Sequence, residues 1–351
     1  MPVSFAQLLG SRFPIIQAPM AGVQGSALAL AVCEAGGIGS LPAAMLGDEA
    51  LLAELTVMQR QAGGGPWNVN FFAHQSPVPD ESREHAWRSS LAPYYAEYGI
   101  ELDAVSARSG RSPFNARLAD MLEAFRPPLV SFHFGLPSSD LLSRVRGWGS
   151  KVISSATTVE EALWLQEHGV DAVIAQGLEA GGHRGHFLTR DLSTQMGTIA
   201  LLPQIVKAVH VPVIAAGGIV DARGVTAALA LGAAAVQAGT AYLLCPEATT
   251  SPLHRAALQS EAARHTALTT VFTGGAARGI VNRAMRELGA RDNHAPDFPL
   301  AVSAMAPLRA AAEKEGRADF TPLWSGQNAS SCRAVSAAEV TRSLAEGLCG
   351  R

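Results

Sequence analysis

The sequence predicts an α/β protein built as a (β/α)8 TIM barrel with a smaller helical subdomain. Short apolar runs, each ending in small or polar residues, alternate with segments of helical spacing, as in a barrel of parallel strands. The candidate strands are Pro14–Gln17, Ile38–Leu41, Trp67–Phe71, Leu129–Phe132, Lys151–Ser155, Ala172–Gln176, Val213–Ala216 and Ala235–Ala238. Candidate helices include Ser26–Ala35, Thr158–His168 and Ala222–Leu231, the last two followed by Gly169 and Gly232. A doubly wound open sheet has the same local pattern, so the residues at the strand ends decide between the two folds.

The barrel is predicted to occupy residues 1–245 and to contain one long excursion. The third connection, at about 73–128, is longer than a plain crossover from strand to strand requires. It holds an aromatic, helix-friendly stretch at Trp87–Tyr98. We therefore expect this connection to pass over the mouth of the barrel.

The chain after the eighth strand is predicted to form a second unit. Residues 246–325 are rich in alanine, arginine and glutamate, with a turn at Asn293–Pro299, which favours a helical subdomain over the barrel mouth. Residues 326–351 are expected to return to the barrel through a last helix, Ala337–Leu348. No internal repeat is evident beyond the β/α unit.

Composition indicates an ordinary globular protein and argues against large anionic partners. The chain has 351 residues, of which 48% are hydrophobic and 16% charged, and its formal net charge is −3. Such a chain can bury a large core but has no basic field to attract nucleic acid or an anionic membrane surface. We expect a monomer or a homodimer that binds small molecules.

The cysteines and the apolar segments favour a cytoplasmic protein. The four cysteines have no CxxC spacing or disulfide-like rhythm, as is typical of a reducing compartment; they are Cys33, Cys245, Cys332 and Cys349. Met1–Gly10 lacks the features of a secretory signal. Gly224–Cys245 is the most apolar stretch, but polar residues and glycines interrupt it, so we interpret it as a helix followed by a buried strand.

Glycines at the ends of the last two barrel strands predict a phosphate site. The seventh strand ends in Gly217–Gly218 and the eighth in Gly239–Thr240. Backbone N–H groups can approach an anion where no Cβ intrudes, and this corner of a TIM barrel commonly binds phosphate. A glycine pair at a single strand end would more simply indicate a tight turn, but glycines at the ends of two consecutive strands favour a phosphorylated ligand.

The loop after the sixth strand carries the strongest candidate for chemistry. It starts at Gln176, which can hydrogen-bond a ring edge, and continues to Gly181 and Gly182, which allow the backbone to pass close to a ligand. His183 follows at the barrel mouth as an acid, base or anion contact. An isolated histidine would more simply be a surface residue, but its position at a strand end favours function.

Three earlier strands end in further candidate ligand contacts. His133 follows the fourth strand, and it could equally be a core histidine satisfied by backbone groups. Asn70 closes the third strand, where asparagine is poorly suited to a strand interior and is more simply explained as a ligand contact. The first strand ends in Ala18, Pro19 and Met20, small or flexible residues that can lie against a flat ring, although Met20 could also be a core filler.

These residues fall in blocks that resemble one family over nearly the whole chain. The sequence is similar to the nitronate monooxygenases, formerly called 2-nitropropane dioxygenases. The matching blocks, in family order, are Gln17–Gly22, Asn68–Phe71, Ser131–Gly135, Gln176–Gly185, Gln237–Thr240, Thr273–Asn282 and Trp324–Gln327. Each block alone is shared with other flavin barrels, but together they are specific to this family.

The resemblance implies a noncovalent FMN and the oxidation of an alkyl nitronate by molecular oxygen to a carbonyl compound and nitrite. The positions that match flavin contacts are Asn70, Gln176, Gly181, Gly218, Gln237, Ala238, Gly239 and Thr240. His183 matches the histidine beside the substrate, and His133 a second substrate-side contact. The serine–phenylalanine–histidine block resembles the class that acts on propionate 3-nitronate. Two positions depart from the family: Gly275 stands where arginine is common, and Phe298 replaces a tyrosine near the substrate entrance.

Other functions remain open on the sequence alone. An FMN-dependent NAD(P)H reductase of enoyl-acyl-carrier-protein or quinones shares the glutamine and Ala-Gly-Gly-His loop, and the lack of a GxGxxG motif after a strand is weak evidence against it. A flavin-free phosphosugar isomerase or lyase would need a lysine or glutamate at a strand end, and Lys151 instead begins its strand. A non-catalytic ligand-binding barrel is a further alternative. No metal site is predicted, because His183 and His186 lack a third ligand in a recognisable pattern.

Overall fold

Eight parallel strands form the barrel that the sequence predicts. The computed structural model describes residues 5–101, 112–289 and 294–348; Asn293, Cys349 and part of the predicted excursion lie outside these residues. The barrel strands are β1 Ile15–Gln17, β2 Gly39–Pro42, β3 Trp67–Phe72, β4 Leu129–His133, β5 Lys151–Ala156, β6 Ala172–Gln176, β8 Val213–Ala216 and β9 Ala235–Ala238. All eight overlap the candidate strands, with boundaries that differ by one residue at most.

The sheet closes between its first and second strands. Its order is β1-β9-β8-β6-β5-β4-β3-β2, and every neighbouring pair is parallel. Ile38, just before β2, donates its N–H to the Ile15 carbonyl at 2.8 Å and accepts from the Gln17 N–H at 2.9 Å. The strands therefore form a barrel, and the open doubly wound sheet is excluded.

Helices cover the outside of the barrel and build the second unit. They are α1 Phe5–Leu9, α2 Ser26–Glu34, α3 Asp48–Gln61, α4 Glu81–Glu97, α5 Ala116–Glu123, α6 Ser139–Gly147, α7 Val159–Glu167, α8 Thr198–Ala208, α9 Ala222–Ala230, α10 Pro252–Leu258, α11 Arg283–Glu287, α12 Val302–Lys314 and α13 Ala337–Ala345. The apolar stretch Gly224–Cys245 falls on α9 and β9. Among the described residues, no helix has the length and hydropathy needed to cross a membrane.

The alternation of side chains along each strand divides the barrel interior into two levels. In β4, Val130 and Phe132 face the helices, whereas Leu129, Ser131 and His133 face inward. Leu129 packs near the amino end with isoleucines of the other strands, and Phe5 of α1 joins the same cluster. The amino end of the interior is thus filled with apolar groups, while the carboxyl end remains polar and open.

The excursion after β3 and the chain after β9 share a second hydrophobic core. Trp87, Leu91 and Tyr95 of α4 pack with Met305 and Leu308 of α12 in one buried cluster. The Tyr95 hydroxyl also donates to a carbonyl of α12 at 2.5 Å. These contacts bring two segments separated by some two hundred residues together beside the barrel.

A small antiparallel sheet, which the sequence analysis did not predict, links this unit to the sixth βα loop. Its strands are β10 Thr266–Thr269, β11 Ala277–Ile280 and the two-residue β7 Gly182–His183, in the order β10-β11-β7. His183 pairs with Ala277, and the Arg184 N–H donates to the Ala276 carbonyl at 2.8 Å. The backbone of the candidate catalytic loop is therefore part of a sheet built mainly by the chain after the barrel.

Candidate functional site

One large cavity opens at the carboxyl ends of the barrel strands. It encloses about 1390 Å³ of empty space, which includes the open mouth. The predicted site residues that line it are Ala18, Pro19, Met20, Asn70, His133, Gln176, Gly181, Gly182, His183, Gly217, Gly218, Gln237, Gly239 and Thr240. Residues from seven separate parts of the sequence thus meet in a single cavity.

Ala238 is the one predicted site residue whose side chain does not line the cavity. It packs in the core between the barrel and its helices, and its carbonyl accepts a hydrogen bond from the Ala18 N–H at 2.8 Å. The reason is the two-residue period of a strand, which directs Gln237 inward and Ala238 outward. Through this bond Ala238 helps to fix the loop after β1, and its predicted contact with the cofactor stays a prediction.

Four residues at the ends of β8 and β9 form what we call the main-chain corner: Gly217, Gly218, Gly239 and Thr240. Gly217 and Gly218 have φ angles of +123° and +72°, which side chains with a Cβ rarely adopt. A Cβ at Gly217 would lie 2.8 Å from the Thr198 hydroxyl oxygen. The corner therefore has little room for side chains, and a ligand there would meet backbone groups.

The segment before α13 closes the main-chain corner from outside the barrel. Gly326 donates its N–H to the Thr240 hydroxyl at 3.0 Å, and the Asn328 amide donates to the Gly218 carbonyl at 3.2 Å. The Gln327 N–H adds a bond of 2.9 Å to the Glu179 carbonyl. These bonds fix the chain around residue 326 against both strand ends.

The polar atoms at this end of the cavity suit a bound mononucleotide. The Gln237 side-chain oxygen is buried and has no hydrogen-bond partner among the described residues, which is costly unless a ligand donates to it. Gly182, with φ +72°, has open space where a Cβ would stand. Among the described lining residues there is no lysine or arginine, so backbone N–H groups would be the donors to a phosphate here.

Gln176 and Arg184 hold the loop that carries His183. The Gln176 amide nitrogen donates to the His183 carbonyl at 2.9 Å, and its oxygen accepts from the Gly185 N–H at 2.7 Å. Arg184 is fully buried and donates to the carbonyls of Gln176 and Gly177, both at 2.7 Å. Burial lowers the pKa of Arg184 to about 10, so the guanidinium remains charged at neutral pH. The loop is thus fixed to the end of β6 by both its chain and its side chains.

A buried polar network extends from Arg184 to Glu161 of α7. Arg184 donates to the Gln195 side-chain oxygen at 3.0 Å, and the Gln195 amide nitrogen donates to the Thr157 hydroxyl at 2.7 Å. The Thr157 hydroxyl donates to Glu161 at 2.8 Å, and this carboxylate also accepts from the Phe187 N–H at 2.6 Å. Each buried charge is satisfied by several donors or acceptors, as burial requires.

His133 is a neutral histidine that hydrogen-bonds to the loop carrying His183. Burial lowers the pKa of His133 to about 4, so its ring carries a single proton at neutral pH. Its Nε2 lies 3.1 Å from the His183 carbonyl, which can only accept, so Nε2 holds the proton and donates. Nδ1 then accepts from the Ser155 hydroxyl at 3.1 Å. Both ring nitrogens are thereby engaged in positioning the loop.

The His183 imidazole lies among aromatic rings and one hydroxyl group. Its Nε2 is 2.9 Å from the Thr273 hydroxyl oxygen. Ring centroids of Phe298 and Trp324 are 5.0 and 5.5 Å from that of His183. Phe134 and Phe72 follow at 6.1 and 6.4 Å. The imidazole is therefore surrounded largely by aromatic side chains.

Several lining residues are not among the site residues that the sequence predicts. They include Phe72, Ser131, Ser155, His254, Pro322, Trp324, Gly326 and Asn328. Ser131 and the chain at Trp324–Gln327 belong to the sequence blocks that resemble the family. That resemblance is the signal by which these residues could have been predicted. His254, held by the Ser325 hydroxyl at 3.0 Å, has no such signal, because it reaches the cavity only through the packing of α10.

The fold and the cavity define a TIM barrel with a site at the carboxyl ends of its strands and a histidine in that site. The family model for nitronate monooxygenase matches residues 4–347. The chain therefore belongs to the nitronate monooxygenase family, and it is an oxidoreductase.

Individual relatives are similar over almost their full length. A nitronate monooxygenase from Pseudomonas aeruginosa is 43% identical over 350 residues, with 99% of each chain covered. One from Paraburkholderia phytofirmans is 42% identical over 346 residues, which cover 96% of this chain and 92% of the relative. The crystal structure of nitroalkane oxidase from Streptomyces ansochromogenes superposes with a TM-score of 0.89 at 38% identity, covering 96% of both chains.

Proposed function

We propose that this protein uses noncovalent FMN to oxidise alkyl nitronates with molecular oxygen, giving a carbonyl compound and nitrite. The observation that carries the proposal is the position of His183, which shares one cavity with the main-chain corner in a chain of this family. Propionate 3-nitronate remains the substrate that the sequence blocks predict. The cytoplasmic location and a monomeric or dimeric state also stay predictions.

The residues that would hold FMN come from four strand ends. The main-chain corner would bind the phosphate through backbone N–H groups. Gln237, with its buried side-chain oxygen, and Asn70 would contact polar edges of the flavin, while Ala18 to Met20 would lie against the ring. When bound, the flavin supplies the electron transfer between the substrate and oxygen.

His183 would bind the substrate at its nitro group. A nitronate is already an anion, so it needs a hydrogen-bond donor or a positive partner rather than a strong base. A nitroalkane must first lose its α-proton, and the imidazole of His183 would accept this proton as a general base. Thr273 would orient that ring through the bond to Nε2, and the surrounding aromatic rings would exclude water.

His133 would act as a positioning residue in this scheme. Its neutral ring donates a hydrogen bond to the His183 carbonyl and not to the His183 imidazole. It would therefore fix the position of the loop relative to the barrel strands. This assignment refines the sequence interpretation, which considered His133 as a second substrate contact. Gln176 would have the same supporting task from the opposite side of the carbonyl.

The visible spectrum of the purified protein tests the proposal. We expect a yellow protein whose flavin absorbance near 450 nm bleaches rapidly on anaerobic mixing with an alkyl nitronate, with nitrite released after oxygen is admitted. Bleaching by NADH alone, with stoichiometric NADH consumption, would instead favour an enoyl-acyl-carrier-protein or quinone reductase. A colourless protein that binds no added FMN would contradict both functions and favour a flavin-free barrel.

A further inference from the structure

His254 of α10 is a cavity-lining histidine that the proposed reaction does not use. Only 3% of its surface is exposed. Burial, together with the positive charge of Arg309, lowers the pKa of His254 to about 4, so at neutral pH the ring is uncharged and carries one proton. The nitrogen that holds this proton decides whether the ring offers the cavity a hydrogen-bond donor or an acceptor.

The Ser325 hydroxyl determines where that proton lies. Its oxygen is 3.0 Å from His254 Nε2, and Ser325 has no exposed surface. Among the residues that the structure describes, Nε2 is the only hydrogen-bond partner of this hydroxyl, so the hydroxyl proton has no other acceptor there. A buried hydroxyl that donates to nothing is costly, so Ser325 donates and Nε2 accepts. In an uncharged ring the proton is then on Nδ1.

The resulting Nδ1–H group faces the cavity without an acceptor from the protein. Within residues 5–101, 112–289 and 294–348, the His254 side chain makes one hydrogen bond, and that bond is at Nε2. His254 lines the cavity, and its Nδ1 is not closed off by protein atoms, unlike the Nδ1 of His186, which is buried without a partner. The ring therefore offers one N–H donor to a molecule bound in the cavity.

Two anchors hold His254 beside the main-chain corner. Ser325 immediately precedes Gly326, whose N–H donates to the Thr240 hydroxyl of the corner at 3.0 Å. Arg255, the residue after His254, donates to two carbonyls of the turn that follows Thr240, at 2.8 and 2.7 Å. The imidazole is thus attached to both chain segments that meet at the corner, which is where backbone N–H groups would bind a phosphate.

We infer that His254 is a cofactor-binding residue whose Nδ1–H donates a hydrogen bond to the phosphate of the proposed FMN. The inference rests on the proposed function and adds a side-chain donor to the backbone N–H groups of the main-chain corner. A phosphate oxygen is a charged acceptor, so a hydrogen bond to it is stronger than one between uncharged groups. Since none of the described lining residues is lysine or arginine, this bond would have no competing cation.

Two substitutions at position 254 separate the roles of the two ring nitrogens. His254→Asn places an amide nitrogen at the position of Nδ1 and nothing at that of Nε2, whereas His254→Gln reaches the position of Nε2 and leaves Nδ1 without a replacement. The Kd for FMN is measured from the fluorescence of flavin released when the loaded full-length protein is diluted. We expect this Kd to rise at least about tenfold in His254→Gln and to stay within about threefold of wild type in His254→Asn.

The same pair of variants can overturn the inference. If His254 only supports Ser325 through Nε2, the order reverses and His254→Asn loses more affinity than His254→Gln. Equal Kd values in the two variants would also contradict a donor at Nδ1. A wild-type protein that binds no FMN would instead refute the proposed function, which is a distinct result.

Riboflavin, which lacks the phosphate, identifies the acceptor. In full-length protein stripped of its flavin, the Kd for riboflavin should be the same in wild type and His254→Gln within about twofold. Equal losses of affinity for FMN and riboflavin would overturn the assignment to the phosphate. Nitrogen-15 NMR of the wild-type protein gives a test that needs no variant to fold: the His254 Nδ1 signal should be that of a protonated nitrogen and should shift with FMN but not with riboflavin. An unprotonated Nδ1 would contradict the inference.

Discussion

The two ends of the cavity present different chemical groups, backbone at one end and side chains at the other. The main-chain corner consists of three glycines and Thr240, and the φ angles of Gly217 and Gly218 are ones that residues with a side chain rarely adopt. The His183 end consists of side chains, with four aromatic rings and the Thr273 hydroxyl around an imidazole. A ligand group that is the same in every turnover can be bound by backbone. A substrate that varies among relatives is better bound by side chains, which can change without altering the barrel.

This difference predicts that mutations at the two ends of the cavity affect different properties of the protein. Substitution at the corner should remove the cofactor, and with it every reaction. Substitution around His183 should leave the cofactor bound and change the rates of individual substrates. Substitutions at Gly217, His183 and Thr273 test this separation, and the pH dependence of unfolding tests the burial of two histidines that line the cavity.

Gly217→Val should abolish flavin binding. Its φ of +123° and the Thr198 oxygen 2.8 Å from the position of a Cβ leave no place for the branched side chain. We expect the purified variant to lose at least about 90% of its absorbance near 450 nm per chain, because a one-residue distortion misdirects the N–H donors. Gly47→Val is the control, since no atom lies within 4 Å of a Cβ there. A folded Gly217→Val protein, by circular dichroism, with full flavin content would contradict the role of the corner.

His183→Gln should keep the flavin and separate two classes of substrate. We expect kcat/KM for nitroethane to fall by about 10²–10³ and that for ethyl nitronate by about tenfold, because only the first needs a general base. Steady-state oxygen consumption with each substrate at matched pH measures both losses. Equal losses on the two substrates would refute the assignment of His183 as the base.

Two buried imidazoles should make the protein sensitive to acid. The pKa values of His133 and His254 in the folded state are about 4, below the ordinary 6.5. Between pH 6.5 and pH 4 the unfolded chain therefore binds protons at these two histidines, whereas the folded chain does not. The free energy of unfolding has its full value above pH 6.5 and decreases as the pH falls towards 4. Each contributes at most about 1.4 kcal/mol to the free energy of unfolding per pH unit in this window.

Urea unfolding at pH 7 and pH 5, with a fixed excess of FMN, measures this dependence. His254→Gln should reduce the pH slope of the unfolding free energy by the equivalent of about one proton. Ser325→Ala removes the hydroxyl partner of His254 but keeps the imidazole, and it should retain the wild-type slope. A slope unchanged by His254→Gln would mean that His254 is not neutral in the folded protein.

Thr273→Val should have the smallest of the four effects. It removes the hydrogen bond to His183 Nε2 while keeping the shape of the side chain, which corresponds to a loss of about two- to tenfold in kcat/KM for nitroethane. The pH profile of kcat/KM should shift as well, because the hydroxyl group influences the protonation of the ring. Thr273→Ser should restore both readouts. A shifted rate without a shifted pH profile in Thr273→Val would indicate only a packing role.

The same contrast explains how much the sequence could predict. The eight strands and the main-chain corner follow from local patterns, because apolar runs, strand-end glycines and side-chain alternation act over a few residues. The outward direction of the Ala238 side chain also has a local cause, since the two-residue period of a strand places it opposite to Gln237. Strand-end logic alone was enough to bring His133, Asn70 and His183 to one cavity.

The side-chain end was less predictable because it depends on contacts distant in sequence. Thr273 and Trp324 reach His183 across about 90 and 140 residues, and no local pattern indicates such a meeting. The buried state of Arg184 was equally hidden, since an arginine in a glycine-rich loop suggests an exposed side chain. The strand β7 has two residues, which is too short for any periodic signal.

The pairing of β7 with β11 makes the conformation of the loop that carries His183 depend on a strand that comes later in the chain. The backbone of His183 is hydrogen-bonded to a strand made some 95 residues later, so a nascent chain that has completed the barrel strands still lacks the partner of its reactive loop. Such a loop should gain protection from amide hydrogen exchange together with β11 and later than the barrel. The loop that carries His183 would then reach its final conformation only after the chain around β11 has folded.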